Sequence, residues 1–262
     1  MQPVASLPAP VADALRTWLG AHDEVAPGTV EGLYVVGSVA LDDWTPHSDI
    51  DIVAVVADPS DPDLVDELAA AQSVLRSRSD AKIDGPYVGW GDLVVPAMAV
   101  QRPWVLDGVY HLDGESFEIN PVTWYTLDVH GIALRGVPAA QIGVWHDVEE
   151  RRSFVAGNLD TYWRGVGAAL AAGLAEADEE EWGGEILEWV ALGVARMLYT
   201  FETGEVTSKS GAGRWAAQRI PQHADVFDRA VAVRSSPSSV SRELLARCAD
   251  VTLEIVTAVT GS

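Results

Sequence analysis

Two aspartates spaced one residue apart, Asp49 and Asp51, open an aliphatic run in YVVGSVALDDWTPHSDIDIVAVV, Tyr34–Val56. An ionised carboxylate on a buried strand is costly to desolvate unless something answers its charge. The period-two geometry of a strand puts Asp49 and Asp51 on one face and Ile50 and Ile52 on the other. Two carboxylates held so close repel each other unless a cation lies between them. Hard oxygen donors of this kind suit Mg²⁺, which is bound through a few carboxylates, waters and substrate phosphates. Ten residues separate Asp49 from Gly37-Ser38, which ends the preceding apolar run. A glycine there lets the backbone approach a phosphate closely, and the serine can offer its hydroxyl and N–H. Asp84, in KIDGPYV, lies on a separate predicted strand. If the two strands are neighbours, three carboxylates converge, enough to hold two metals or to hold one while the third deprotonates a hydroxyl. In-line displacement at phosphorus asks little more of a protein than positioning and charge neutralisation.

The joined pattern GS-x10-DID between two apolar strands resembles the signature of the nucleotidyltransferase superfamily whose fold is shared with DNA polymerase β. Within it, GSVALDDWTPHSDIDIVAVV is similar to the corresponding loop of the aminoglycoside 3″-adenylyltransferases, which act on streptomycin and often on spectinomycin. Their serine just before the first aspartate is matched by Ser48. ARMLYTFETGEVTSKSGAGRWA resembles the family's helical-domain segment, in which an arginine and a lysine thirteen residues later contact the ATP phosphates; here these are Arg196 and Lys209. Without the resemblance both would read as surface cations. The resemblance implies ATP as co-substrate, Mg²⁺ at Asp49, Asp51 and Asp84 in up to two ions, and phosphate contacts from Gly37, Ser38, Ser48, Arg196 and Lys209. Where the family carries a glutamate as catalytic base, this chain has Asp84, one methylene shorter. The family's acceptor-contacting residues fall at Trp182, Glu185 and Glu188, with Ile186 where an aspartate would be expected. The family's C-terminal tyrosine near the nucleotide has no counterpart.

The elements that must carry these residues are legible in the hydrophobic pattern. Residues 11–20 predict a short helix, and HDEVAPGTVEG a loop before the strand LYVVGS. DPSDPD breaks the chain ahead of a helix over Leu64–Ser77, and AKIDGPYVGWGDL gives the strand of Asp84. Met98–Gly136 reads as strands and turns, with EINPVTWYTLDVHGIALRG as extended chain followed by a short helix. From Asp147 the periodicity becomes helical: a long run to Trp182, then EILEWVALGVARMLYTFETG ended by Gly204. AGRWAAQRI and VSRELLARCADVTLEIVTAV predict two further helices joined through RSSPSS. The expected architecture is an α/β (α+β) nucleotidyltransferase domain with a mixed sheet, residues 1–146, followed by an all-α helical-bundle domain, residues 147–262.

Composition bounds the function. Of 262 residues, 17 are Lys or Arg and 39 Asp or Glu, a net charge of −22. Nucleic-acid binding needs clustered cations, so it is excluded as a partner. The acidity suits either simple solubility or the steering of a small cationic acceptor. The run ADEEEWGGEILEW likewise reads as a solvated acidic patch or as a trap for an ammonium or guanidinium group under a tryptophan face. Trp104, Trp124 and Tyr125 could wall a pocket or pack a core. His47 reads as a loop residue, and the other histidines lack the spacing of a zinc site. The single Cys248 offers no disulfide framework and reads as core filler. No apolar run reaches the length of a membrane span, and the N-terminus lacks a signal-peptide pattern. A cytoplasmic monomer is expected, with no membrane partner. Two rival readings stand beside the antibiotic acceptor. One is an adenylyltransferase acting on a protein, as an antitoxin does, or on another metabolite; the other is a nucleotide-binding regulator without catalysis.

Overall fold

The structure, a computed structural model, describes residues 7–112 and 116–261. Outside them lie the first six residues of the stretch read for a leader and three of the extended run between Met98 and Gly136. The chain divides into two compact units between His146 and Asp147.

In the first unit, α1 (Ala9–Val25) follows Pro8 and runs past Gly20, taking in the HDEV segment expected to be loop. The extension has a visible cause. His22, fully buried, stacks on Trp18 with ring centroids 3.6 Å apart. Its Nδ1 lies 2.8 Å from the Trp18 carbonyl and its Nε2 2.7 Å from the Tyr87 hydroxyl. A carbonyl can only accept, so Nδ1 carries the proton and Tyr87 donates to Nε2.

The strands are β1 (Val30–Val35), β2 (Ile50–Val56), β3 (Ile83–Val88), β4 (Trp104–Leu106), β5 (Val109–His111) and β6 (Ile132–Arg135). They form one sheet in the order β5-β4-β3-β2-β1-β6, in which only β2 and β3 run parallel. A four-residue helix, α2 (Gly37–Ala40), follows β1. The crossover from β2 to β3 is α3 (Pro62–Arg78), started by Asp61, whose carboxylate accepts from the Asp63 N–H, and by Pro62 at its first turn. Ile50, Ile52, Leu68, Leu75 and Ile83 pack with α1 and α3 on one side of the sheet. Tyr34, Val53, Val55 and Trp124 form the core on the other.

The segment EINPVTWYTLDVHGIALRG is ordered the opposite way from the sequence expectation. Asn120 caps α4 (Pro121–His130), accepting from the Val122 and Thr123 N–H groups, and the extended piece, β6, comes after it. The cap residue and Pro121 decide it: NP is a helix start. Trp104, Trp124 and Tyr125 are buried in this unit, as core packing requires.

The second unit is helical: α5 (Val148–Asn158), a π-helical turn at Leu159–Trp163, α6 (Arg164–Glu176), α7 (Gly184–Thr203), α8 (Lys209–Arg219), α9 (Ala224–Ser235) and α10 (Arg242–Thr260). Asp147, Ser208 and Ser241 cap α5, α8 and α10. α9 was not expected. Its apolar residues Val226, Phe227, Ala230 and Val233 do keep helical spacing and are buried. A short antiparallel ribbon, β7 (Glu181–Gly183) with β8 (Ser239–Ser241), also interrupts the expected all-helical unit. Cys248 is fully buried in this core, which pushes its thiol pKa up to about 12. Among the described residues no helix is long and apolar enough to cross a membrane.

Candidate active site

The parallel ladder aligns Ile50 with Ile83 and Asp51 with Asp84. The isoleucines face the core on the α1 and α3 side. By alternation Asp51 and Asp84 therefore share the opposite face, on strands roughly 4.8 Å apart. Asp49 immediately precedes β2 and is half exposed. Two glycines make this arrangement possible. Gly37 has φ +58°, and a Cβ placed on it would lie 1.8 Å from Asp51 Oδ2, so the carboxylate rests against the glycine itself. Gly85 has φ +149°, and a Cβ there would meet the Ile52 carbonyl oxygen at 1.9 Å. The residue after Asp84 must be glycine for β2 and β3 to close up.

Asp84 is only 3% exposed. Burial pushes its pKa up from 3.8 to about 6. Backbone N–H groups of Asp107 and Gly108 pull the other way, while the charges of Asp49 and Asp51 raise it further. The Gly108 N–H donates to Asp84 Oδ1 at 3.4 Å. Thus the three acids do act on one another electrostatically. Among the described residues, however, no three His, Cys, Asp or Glu side chains stand close enough to hold a metal as they are. The expected convergence is of strands and charges, not of a finished ligand cage. A cation of the chain's own stands beside them: Lys82 Nζ lies 3.9 Å from Asp49 Oδ1 and 2.9 Å from Asp107 Oδ1.

The donor chemistry still fits a hard divalent cation. Three carboxylates sit at the start of adjacent strands, one of them strongly desolvated and raised by the other two. Ser38 Oγ is buried with no hydrogen-bond partner among the described residues. A buried hydroxyl left so costs about 1–3 kcal/mol, which a ligand acceptor would relieve. Ser48 is placed differently. Its Oγ accepts from the Thr45 N–H at 3.2 Å and lies 3.1 Å from Thr45 Oγ1, stapling the loop that delivers Asp49. Beside Asp49 a cleft of about 490 Å³ is lined by Trp44, Pro46, His47, Ser48 and Lys82, among others.

Lys82 and Asp107 were not singled out in the sequence. Lys82 is two residues before Asp84, hence on its face, and Asp107-Gly108 is a turn-forming dipeptide. Those signals were present but weak, because nothing in the pattern says which hairpin lies over which strand.

In the helical unit, Arg196 lies half-buried on α7, and Lys209 is the first residue of α8. Lys209 Nζ is 3.9 Å from Glu188 Oε1, and the buried Arg234 donates to the same oxygen at 2.6 Å. Glu188 is thus already answered by two cations of its own unit. Glu185 is exposed in the first turn of α7, its carboxylate folded back against Gly183. Trp182 is half-buried against the helical core, its Nε1 donating to the Glu179 carbonyl at 3.2 Å.

The sequence profile described as "Nucleotidyltransferase domain" matches residues 22–84, ending on Asp84. The profile described as "Aminoglycoside adenylyltransferase, C-terminal domain" matches residues 161–255. The chain thus joins a nucleotidyltransferase domain to a segment matching the C-terminal domain of aminoglycoside adenylyltransferases. It is therefore an enzyme of the nucleotidyltransferase superfamily. No curated protein matches the sequence. Among solved structures, a spectinomycin adenyltransferase AAD(9) from Enterococcus faecialis, crystallised with ATP and spectinomycin, is similar with a TM-score of 0.63. It is 14% identical, and the match covers 95% of this chain and 98% of that chain. At such identity the likeness is one of fold.

Proposed function

We propose that this enzyme moves AMP from ATP to a hydroxyl of a small polycationic aminoglycoside or aminocyclitol, of the streptomycin or spectinomycin kind, releasing pyrophosphate. The observation that carries this reading is the register of Asp51 with Asp84, with Gly37 lying against Asp51. Asp49, Asp51 and Asp84 would hold Mg²⁺, up to two ions, which when bound would offset the charge of the triphosphate and of the departing pyrophosphate.

The chain's own residues account for the rest. Asp84 takes the proton of the acceptor hydroxyl as its oxygen bonds to the α-phosphorus, and the bond from that phosphorus to the bridging oxygen of the β-phosphate breaks. A carboxylate raised toward 6 keeps such a proton better than an ordinary aspartate. Gly37 gives the phosphates a close backbone approach, and the unsatisfied Ser38 hydroxyl donates to one of their oxygens. Ser48 acts through the loop it fastens. Arg196 and Lys209 are the cations assigned to the triphosphate, a role an acidic chain must supply from few residues. Trp182 and Glu185 are the groups assigned to the acceptor, an aromatic face and an open carboxylate for a cationic sugar. Glu188, whose Oε1 already faces Arg234 and Lys209, is the third group assigned to the acceptor.

The test is pyrophosphate release from ATP across a panel of hydroxyl acceptors. Turnover with streptomycin or spectinomycin, and none without an acceptor, is the expected result. Turnover with neither, but with a protein or an uncharged metabolite, would overturn the acceptor assignment.

A further inference from the structure

Three acids on adjacent strand ends repel one another, yet this site carries its own partial remedy. The Ile50 N–H donates to the Lys82 carbonyl at 2.9 Å, so the backbone of Lys82 is fixed beside the residue that follows Asp49. From there the Lys82 ammonium reaches Asp107 Oδ1 at 2.9 Å and Asp49 Oδ1 at 3.9 Å. Asp107 is a non-glycine residue with φ +50°, followed by Gly108 at φ +70°, in the two-residue turn between β4 and β5. That turn also directs its N–H groups at the Asp84 carboxylate. A closed circuit results: the turn holds Asp84 by its backbone and Lys82 by its side chain, and Lys82 faces Asp49. Both Lys82 and Asp107 are well over half exposed, so as a bare ion pair they contribute little to stability. Their position at the acids gives them something else to do.

We propose that Lys82 and Asp107 are positioning residues of this site: Asp107 holds the Lys82 ammonium as a built-in cation beside Asp49, and the pair sets how strongly the three acids attract a divalent cation. The inference rests on the proposed role of Asp49, Asp51 and Asp84. It makes predictions of opposite sign for the two partners. Lys82→Met removes a competing positive charge and should tighten Mg²⁺ binding. Asp107→Asn removes a negative charge and leaves Lys82 with Asp49 as its nearest carboxylate, which should weaken Mg²⁺ binding.

The experiment is a thermal melt of the full chain against MgCl₂ concentration, at constant ionic strength and without nucleotide. It reads the Mg²⁺ concentration at half of the stabilisation. Relative to the native chain, that midpoint is expected to fall roughly three- to tenfold in Lys82→Met and to rise by a similar factor in Asp107→Asn. Lys82→Arg, which keeps the charge, should restore the native value. The Mg²⁺ concentration for half-maximal kcat should move in the same directions. A purely structural pair would lower the melting temperature of both variants and leave the Mg²⁺ midpoint unmoved, which would overturn this inference alone. A native chain that Mg²⁺ does not stabilise would overturn the metal assignment of the three acids along with it.

Discussion

The α-carbon of Gly37 lies directly against the carboxylate of Asp51, so closely that a single added methyl would sit 1.8 Å from Asp51 Oδ2. The turn proposed for the phosphates and the acid proposed for the metal are therefore one packing unit. Gly37→Ala must move the carboxylate, and it also strains a backbone at φ +58° by roughly 1–2 kcal/mol. We expect kcat/KM to fall by about a hundredfold, as for a misplacement near an ångström. The melting temperature should drop by only a few degrees. Steady-state kinetics beside a thermal melt checks both.

Asp84 should trade stability for function. Below pH 3.8 its carboxyl is protonated in folded and unfolded chains alike and contributes nothing. Between 3.8 and about 6 the folded chain keeps a proton that the unfolded chain has released, so stability falls as pH rises. Above about 6 the full cost, about 3 kcal/mol, is present. Asp84→Asn is therefore expected to abolish turnover and to raise stability at pH 7 by up to that amount. Urea denaturation in EDTA, at pH 7 and near pH 3.8, tests it; the gain should vanish at the lower pH.

His22 works in the opposite sense. Burial between Trp18 and Tyr87 lowers its pKa from 6.5 to about 4, so the folded chain refuses a proton that the unfolded chain accepts. Stability from this group is lost as pH falls from 6.5 through about 4, again by about 3 kcal/mol. In the native chain the two effects nearly cancel between pH 4 and 6. In Asp84→Asn the His22 contribution is no longer offset, and stability should fall steeply as pH drops across that window. A flat profile in the variant would contradict the assignment of His22.

Gly85→Ala should be the most damaging single methyl in the sheet. A side chain there meets the Ile52 carbonyl at 1.9 Å, on the adjacent strand, and neither backbone can yield without breaking the ladder that aligns Asp51 with Asp84. The expected loss is about 3 kcal/mol or more of folding stability, read by urea denaturation.

Local chemistry was legible in the sequence where residues carry their own instructions. Alternation across DIDIVAVV assigned the two faces of β2, and DPSDPD, Gly204 and the helical texture after Asp147 marked real boundaries. What stayed hidden depended on neighbours distant in sequence. α1 runs on through His22 because Trp18 and Tyr87 give that histidine a buried place. NPVTWYTLDVH is a helix because Asn120 caps it, a signal outweighed by β-branched and aromatic residues in the pattern. α9 escaped because its apolar stripe is short and polar residues surround it. At the proposed site, the acids stand out in the sequence pattern and the charges facing them do not. Lys82 meets Asp107 across 25 positions and Lys209 meets Glu188 across 21, and no local period encodes such pairs.

The proposed chemistry centres on the acid face of β2, and substitution of Asp51 tests it most directly. Asp51→Asn keeps the volume and removes the charge. With ATP, Mg²⁺ and the best acceptor of the panel, kcat is expected to drop at least about a thousandfold, with a melting temperature equal to or above that of the native chain. A well-folded Asp51→Asn enzyme turning over within tenfold of the native rate would contradict the central claim.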